Sequence, residues 1–318
     1  MTKHFLESTP ETIHWGHLDA RIPARLTVNS GDVVVIDTLS GRGEDWGGDL
    51  SMVRPMHRKI IETMEPIEGP HILTGPVAVR GAEPGDTLEV RIKAIELTED
   101  WGYNLIRQRR GVLPEEFPID NQRILPIDRE RGTTRLPWGV EIPLRPFFGT
   151  MAVAPTPERG RVSSIPPAEF GGNMDNKELL PGSSLFLPVF VPGANFSTGD
   201  GHALQGDGEM DVTALESCMK GTFELVLHKR RLDFPRAITP THYIAMGLNA
   251  DLDEAVKHAT HNMLDWLVEL TGWTREEAYV FGTLACDLRI TQVVNRTKGV
   301  HAMVRRDLIE RKEQAHGE

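Results

Sequence analysis

The chain has 318 residues, 39% hydrophobic and 25% charged, enough to bury a large core in one β-rich domain or two lobes. A net charge of −11 argues against a nucleic-acid partner, since that binding rests on cationic contacts with phosphate. No apolar run reaches bilayer length, the first residues lack a secretory apolar core, and two cysteines make no disulfide framework, so no membrane association and a cytoplasmic home are expected.

The first third reads as strands. Asp32-Val33-Val34-Val35-Ile36-Asp37 is β-branched and bounded by Ser-Gly pairs, as a buried strand should be. Residues 41–49 are glycine-rich and acidic, and read as a solvated loop from which Asp45 and Asp49 could reach a site. Glu83-Pro84-Gly85-Asp86 is a β-turn, with proline and glycine at its central positions. In the strand from Thr87 to Lys93, Leu88, Val90 and Ile92 alternate with Glu89, Arg91 and Lys93, the mark of half-burial. Residues 101–167 are rich in proline and glycine and predict irregular structure with edge strands, one near Thr150–Ala154. The basic clusters at 107–110 and 228–231 read as solvated faces or salt-bridge partners.

Two landmarks follow. Phe170-Gly171-Gly172-Asn173-Met174-Asp175-Asn176 has paired glycines that allow a close backbone approach, with Asp175 able to join a site. After the apolar run 185–192 comes Gly199-Asp200-Gly201-His202-Ala203-Leu204-Gln205-Gly206-Asp207-Gly208-Glu209. Its glycines predict a tightly folded loop that brings acids, an imidazole and an amide to one point. Carboxylates held that close repel unless a cation or shared protons compensate them, so a divalent metal or a carboxylate acid/base site is expected. The plainer reading is a solvated hairpin loop. Residues 79–86 and 191–200 share a faint echo, a strand running into Gly-Ala and then Gly-Asp.

A strand from Thr222 to Lys229 precedes the helices. One starts at the cap Asp251 with a stripe of Val256, Ala259, Met263, Leu267 and Leu270; a second opens at the capping box Thr274–Glu277 and runs through Leu288; a third spans Met303–Gln314. Strands first and helices late argue against a doubly wound sheet. His258 and His261 fall opposite the apolar stripe, on a solvated face. Cys218 reads as a buried thiol rather than a nucleophile, Cys286 as helical core. Neither a serine elbow nor a phosphate or dinucleotide loop is present.

These motifs resemble the acetamidase/formamidase family: His71-Ile72-Leu73-Thr74-Gly75-Pro76 with Gly81-Ala82-Glu83-Pro84-Gly85-Asp86, then Gly171-Gly172-Asn173-Met174-Asp175, and above all Leu187 through Glu209. The resemblance implies hydrolysis of small linear amides to carboxylate and ammonia, with γ-lactams as the substrate of some relatives. It also implies a mainly β, sandwich-like fold with a smaller α+β portion and C-terminal helices, a zinc or calcium ion, and a homodimer. Residues 1–160 are expected to form the sandwich-like portion and 161–318 the active-site portion with its α+β segment, the two interleaving in one alternative. On this reading His71, Asp175, Asp200 and His202 are ligand candidates. Glu209 or Asp207 would move protons, Gln205 or Asn173 would donate to the amide carbonyl, and Glu216 would support them. Residues 44–49 and the proline-rich middle depart from the family pattern. The competing readings are a non-catalytic calcium-binding β-sandwich with an all-oxygen site, and an amidase using Cys218 as nucleophile.

Overall fold

A computed structural model describes residues 1–310. Two large antiparallel sheets pack face to face. The first has nine strands in the order Lys3–Leu6, Asp32–Thr38, Met219–His228, Thr87–Leu97, Ser184–Pro188, Arg236–Ile238, His242–Asn249, Lys298–Arg305, Cys286–Gln292, and only its first pair is parallel. Strands from either side of residue 160 alternate in it. The second sheet is centred on Phe196–Leu204, which pairs with Phe147–Ala152, Ile72–Val79 and Leu215–Glu216. The shared core joins Ile36, Val90 and Phe223 of the first sheet to Leu73, Phe148 and Phe196 of the second. The mainly β, sandwich-like fold is therefore as the family resemblance implies.

Four α-helices lie among the described residues. α1 (Pro55–Thr63) packs Ile60 against Ile13, Trp15, Leu39 and Ile72, whereas α2 (Leu252–Thr271), α3 (Arg275–Ala285) and α4 (Arg306–Glu310) cover the far end of the nine-stranded sheet. The Asp251 side chain accepts from the backbone amides of Asp253 and Glu254 at 2.9 and 3.1 Å, so α2 starts at its expected cap. Ala259, Met263 and Leu267 then pack on Tyr243, Ala245 and Val300 of the sheet. Thr274 and Glu277 form the capping box of α3. Among the described residues, no helix is long and apolar enough to cross a membrane.

Four expectations are corrected. The second helix stops at Ala285, and Cys286–Gln292 is an edge strand, in which Leu288 and Ile290 alternate with Asp287, Arg289 and Thr291. Met303–Arg305 closes a strand, the charged helix begins at Arg306, and the remainder of the expected helix lies outside the described residues. The proline-rich middle contains a regular pair, Trp101–Ile106 against Asn121–Asp128, and the fully buried Phe147–Ala152. Most consequential, Phe196–Leu204 is a nearly wholly buried strand rather than a loop. Its glycines serve for space. A Cβ on Gly199 would lie 2.2 Å from the Ile72 carbonyl oxygen, and one on Gly201 2.4 Å from that of Ser217. The echoed turns lie against one another, with Val79 donating to the Gly193 carbonyl and Gly193 to that of Ala82, both at 2.9 Å.

His57, buried on α1, donates Nε2–H to the Gly41 carbonyl oxygen at 2.9 Å, and burial lowers its pKa to about 4. The unfolded chain therefore takes up a proton between pH 6.5 and 4 that the folded chain refuses, so this histidine's stability contribution is complete above pH 6.5 and lost as pH falls toward 4. Urea unfolding of the wild type and His57→Gln should show a stability difference that moves against the wild type across that window; a pH-independent difference contradicts the assignment.

Candidate functional site

Asp200 and His202 stand two residues apart on the central strand and share a face, as a strand's period of two requires. His202 Nδ1 donates to Gln205 Oε1 at 2.8 Å, which leaves Nε2 turned toward the acids. That nitrogen lies 3.3 Å from Asp200 Oδ2, 3.3 Å from Glu216 Oε1 and 4.0 Å from Asp175 Oδ1. The Phe147 ring meets the imidazole edge-on, with centroids 5.0 Å apart. His71 at the mouth of Ile72–Val79 bonds Ser164 Oγ through Nδ1 at 2.8 Å and brings Nε2 to 3.8 Å from Asp200 Oδ2.

Asp175 enters from the turn after Gly171–Asn173, with φ of 51°. Its backbone amide donates to the Gly149 carbonyl at 3.2 Å, and its carboxylate accepts from Asn295 Nδ2 and shares a hydrogen bond with Glu209. The Asn173 amide donates to Asp200 Oδ2 at 2.6 Å and to Thr150 Oγ1 at 2.8 Å, while its oxygen accepts from Asn295 at 3.1 Å. Gln205 Nε2 donates to the Asp175 carbonyl oxygen at 3.0 Å. Two candidate ligand groups result, Asp175–Asp200–His202 and His202–Glu209–Glu216, each with donor atoms within 4.8 Å of one another.

Burial governs the protonation of this cluster. It pushes the Asp175 carboxyl up to about 7 against the pull of His202, and the Glu216 carboxyl up to about 8. Glu209 is driven well above the carboxylate range by burial and by Asp175 beside it. Burial would raise Asp200 too, but His71 and His202 hold it below its ordinary value. Burial would lower His202, yet Glu216 and Asp200 keep it well above the ordinary imidazole value.

The cluster forms the floor of a cavity of about 690 Å³, whose walls include Ser40, Tyr103, Asn173, Glu209, Glu216 and Asn295. His71, Asn173, Asp175, Asp200, His202, Gln205 and Glu209 all meet here. Asp207 does not: it pairs with Lys177 at 3.0 Å, because Gly206 and Gly208 turn its side chain out of the cluster. Asn173 and Gln205 spend their amide protons on Asp200, Thr150 and the Asp175 carbonyl, so they orient the acids instead of meeting a carbonyl. Asp45 is buried in the cavity wall against Arg107, whereas Asp49 caps a short 3₁₀ turn. Cys218 is not among the residues lining the cavity, and burial raises its thiol to about 11, which disfavours it as a nucleophile. The imidazole at the centre of the cluster does not suit an all-oxygen site. His258 bonds the Leu248 carbonyl and His261 contacts Arg275, away from the cluster.

Sequence reasoning missed Tyr103, Asn295 and Gly149, which lie far from the acidic stretch in the chain. The Asn295 signal was nil. The Gly149 signal, a glycine between Phe148 and Thr150 in an otherwise bulky run, is legible only once the strand is known to be central.

The family model described as the Acetamidase/Formamidase family matches residues 3–161 and 158–304. An acetamidase from Mycolicibacterium smegmatis is 30% identical over 296 residues, 67% of this chain and 73% of that one. A Schizosaccharomyces pombe relative is 29% identical over 248 residues, 59% of this chain, and the chain spans only 57% of that protein's length. The crystal structure of a predicted acetamidase/formamidase from Thermoanaerobacter tengcongensis superposes with a TM-score of 0.85 at 26% identity, covering 98% of each chain.

Gly149 has a measurable role. A Cβ there would lie 2.5 Å from both Asp175 Oδ1 and Asp200 Oδ2, and 2.8 Å from His202 Cε1. Gly149→Ala should therefore cost about 1–3 kcal/mol by overpacking, seen as a lowered thermal midpoint with far-UV dichroism retained. An unchanged midpoint would mean that the acids have room to part.

Proposed function

The chain belongs to the acetamidase/formamidase family, and from that premise we propose that its cavity hydrolyses small linear amides, formamide and acetamide among them, to carboxylate and ammonia. One observation carries the reading: Glu209, hydrogen-bonded to Asp175, keeps Oε2 buried in the cavity wall without a partner. A carboxyl so placed can take a proton from water and give it up again.

The donor set fits a divalent cation. Four carboxyls face two imidazoles, His202 offers Nε2 because Gln205 holds Nδ1, and Glu209 Oε2 is unsatisfied. Asp175, Asp200 and His202 would hold the ion, with His71 beside them, and the imidazoles favour zinc over calcium, which takes oxygen ligands. When bound, such an ion lowers the pKa of water and polarises the amide carbonyl.

The chain's own groups do the rest. In its ionised form Glu209 accepts a proton as the water oxygen bonds to the amide carbon, and returns it to nitrogen as the C–N bond breaks. Ammonia and the acid leave, and atoms balance with no other reactant. Tyr103 takes the donor role expected of Gln205 and Asn173. Its hydroxyl lines the cavity 3.3 Å from Ser40 Oγ, and burial keeps it protonated, so it can stabilise charge developing on the carbonyl oxygen. Ser40 in turn bonds Glu216 Oε2 at 3.4 Å and holds that carboxyl in place.

The protein acts as a homodimer on this reading. Tyr279, Val280 and Leu284 of α3 are 61, 63 and 81% exposed, beside Leu288 on the open edge of the nine-stranded sheet. An apolar face on an unpaired edge is a surface for a second copy.

Ammonia release from formamide and acetamide, beside ring opening of a simple γ-lactam, tests the activity. Linear amides should be the better substrates; a preparation that opens only the lactam would establish the alternative. Glu209→Gln should lower kcat by roughly 10²–10⁴-fold, and Tyr103→Phe by about 10²-fold. Wild-type turnover in Glu209→Gln would remove that residue from the mechanism.

A further inference from the structure

The cavity is larger than the amides named above would fill. A four-heavy-atom amide occupies on the order of 100 Å³, at about 30 Å³ per water-sized group, whereas the cavity measures about 690 Å³. Openings of that size accommodate much larger ligands. Part of its wall is apolar, formed by Ile67, Leu105, Ile165, Val212 and Val294. A hydrocarbon segment would be desolvated there with little polar cost.

Four arginines also line the cavity, and they differ in their partners. Arg42 pairs with Glu44 at 2.5 Å, and Arg107 with buried Asp45. Arg110 and Arg296 have no carboxylate within ion-pair distance among the described residues. Asp120 and Glu68 line the same cavity without pairing to either arginine, and Asp120 is engaged by the Gln108 backbone amide at 2.8 Å.

The two unpaired guanidiniums flank the loop that carries Glu209. The segment bearing Arg110 is tied to it by Val112 N–H to the Met210 carbonyl at 2.9 Å, and the segment bearing Arg296 by Val293 N–H to the Gly208 carbonyl at 3.3 Å. Arg296 directly follows Asn295, whose amide is fixed on Asp175. Both cations therefore line the same cavity as the cluster, on segments tied by backbone hydrogen bonds to the loop that carries Glu209, and guanidinium is the side chain best suited to grip a carboxylate in two-point fashion.

We propose that the preferred substrate is a primary amide carrying a carboxylate at the far end of an apolar spacer, the acid received by Arg110 and Arg296. This rests on the amidase reading of the same cavity and narrows its substrate class.

The test is a ladder of ω-amido acids, succinamate, glutaramate and adipamate, against acetamide, butyramide and the amine-bearing 4-aminobutanamide. The measurement is kcat/KM for ammonia release by the full chain. The best acid should exceed butyramide by at least about tenfold, equivalent to about 1.4 kcal/mol. That ratio should shrink with added salt, and it should fall to within about threefold of unity in the Arg110→Gln, Arg296→Gln double variant. Cleavage of neutral amides with no advantage for any acid, or a preference for the amine, overturns the inference and leaves the amidase reading standing. If no amide is cleaved, the amidase reading fails by itself, and calorimetric binding decides this one. Glutaramate binding at least tenfold tighter than butyramide, lost in the double variant, upholds acid recognition; equal binding overturns it.

Discussion

The crowding of carboxyl groups around His202 is the constraint on which the rest depends. Two like charges 4 Å apart repel by about 4 kcal/mol at an effective dielectric of 20. A whole domain is typically stable by only about 5–15 kcal/mol. Asp175, Asp200, Glu209 and Glu216 therefore cannot all be anionic in this cavity without positive charge among them. His202 supplies part of it, shared protons supply more, and a divalent cation would supply the remainder, since burial favours the neutral form of His71. The surrounding amides show how firmly the crowding is imposed. Asn173, Gln205 and Asn295 each commit their N–H groups to holding an acid or its backbone in place.

The sandwich makes that crowding affordable by putting the cluster on its stiffest part. Asp200 and His202 lie on a strand hydrogen-bonded on both sides, and Phe147–Ala152 beside it is buried throughout. Space for three acidic and imidazole side chains is found by deleting others. Gly149 gives room to Asp175, Asp200 and His202, and Gly199 and Gly201 let neighbouring backbones close in. The segments at 107–112 and 292–296 carry Arg110 and Arg296 of the cavity wall, and Val294 of its apolar part.

Much of this was legible in the chain, for reasons that differ by residue. The strands at 32–38, 87–97 and 219–228 follow from alternation and β-branching, and α2 and α3 from their caps. Asp175, Asp200, His202 and Glu209 were found because chemical type and glycine spacing marked them within two short stretches. The stretch around 200 was nonetheless misread as a loop. Glycine serves both turns and close packing, and only tertiary neighbours such as the Ile72 and Ser217 carbonyls distinguish the two. Gln205 and Asn173 lie at the cluster with their amide hydrogens directed to Asp200, Thr150 and the Asp175 carbonyl, which a short sequence does not show. Asn295 and Tyr103 reach the cavity through long-range pairing that leaves no local trace. The end of α3 was misplaced because Leu284 and Leu288 suit a helix stripe, while the strict alternation after Ala285 suits a strand better.

Titration calorimetry with Zn²⁺ in two buffers of different ionisation enthalpy tests the central claim most directly, because it counts ions bound and protons released together. The account predicts one tightly bound ion per chain, expelling at least one proton from the carboxyl cluster, with binding abolished in His202→Ala and restored amidase activity tracking the ion added. A chain that binds no divalent ion yet cleaves acetamide at full rate, or binds one equally well without His202, would contradict it.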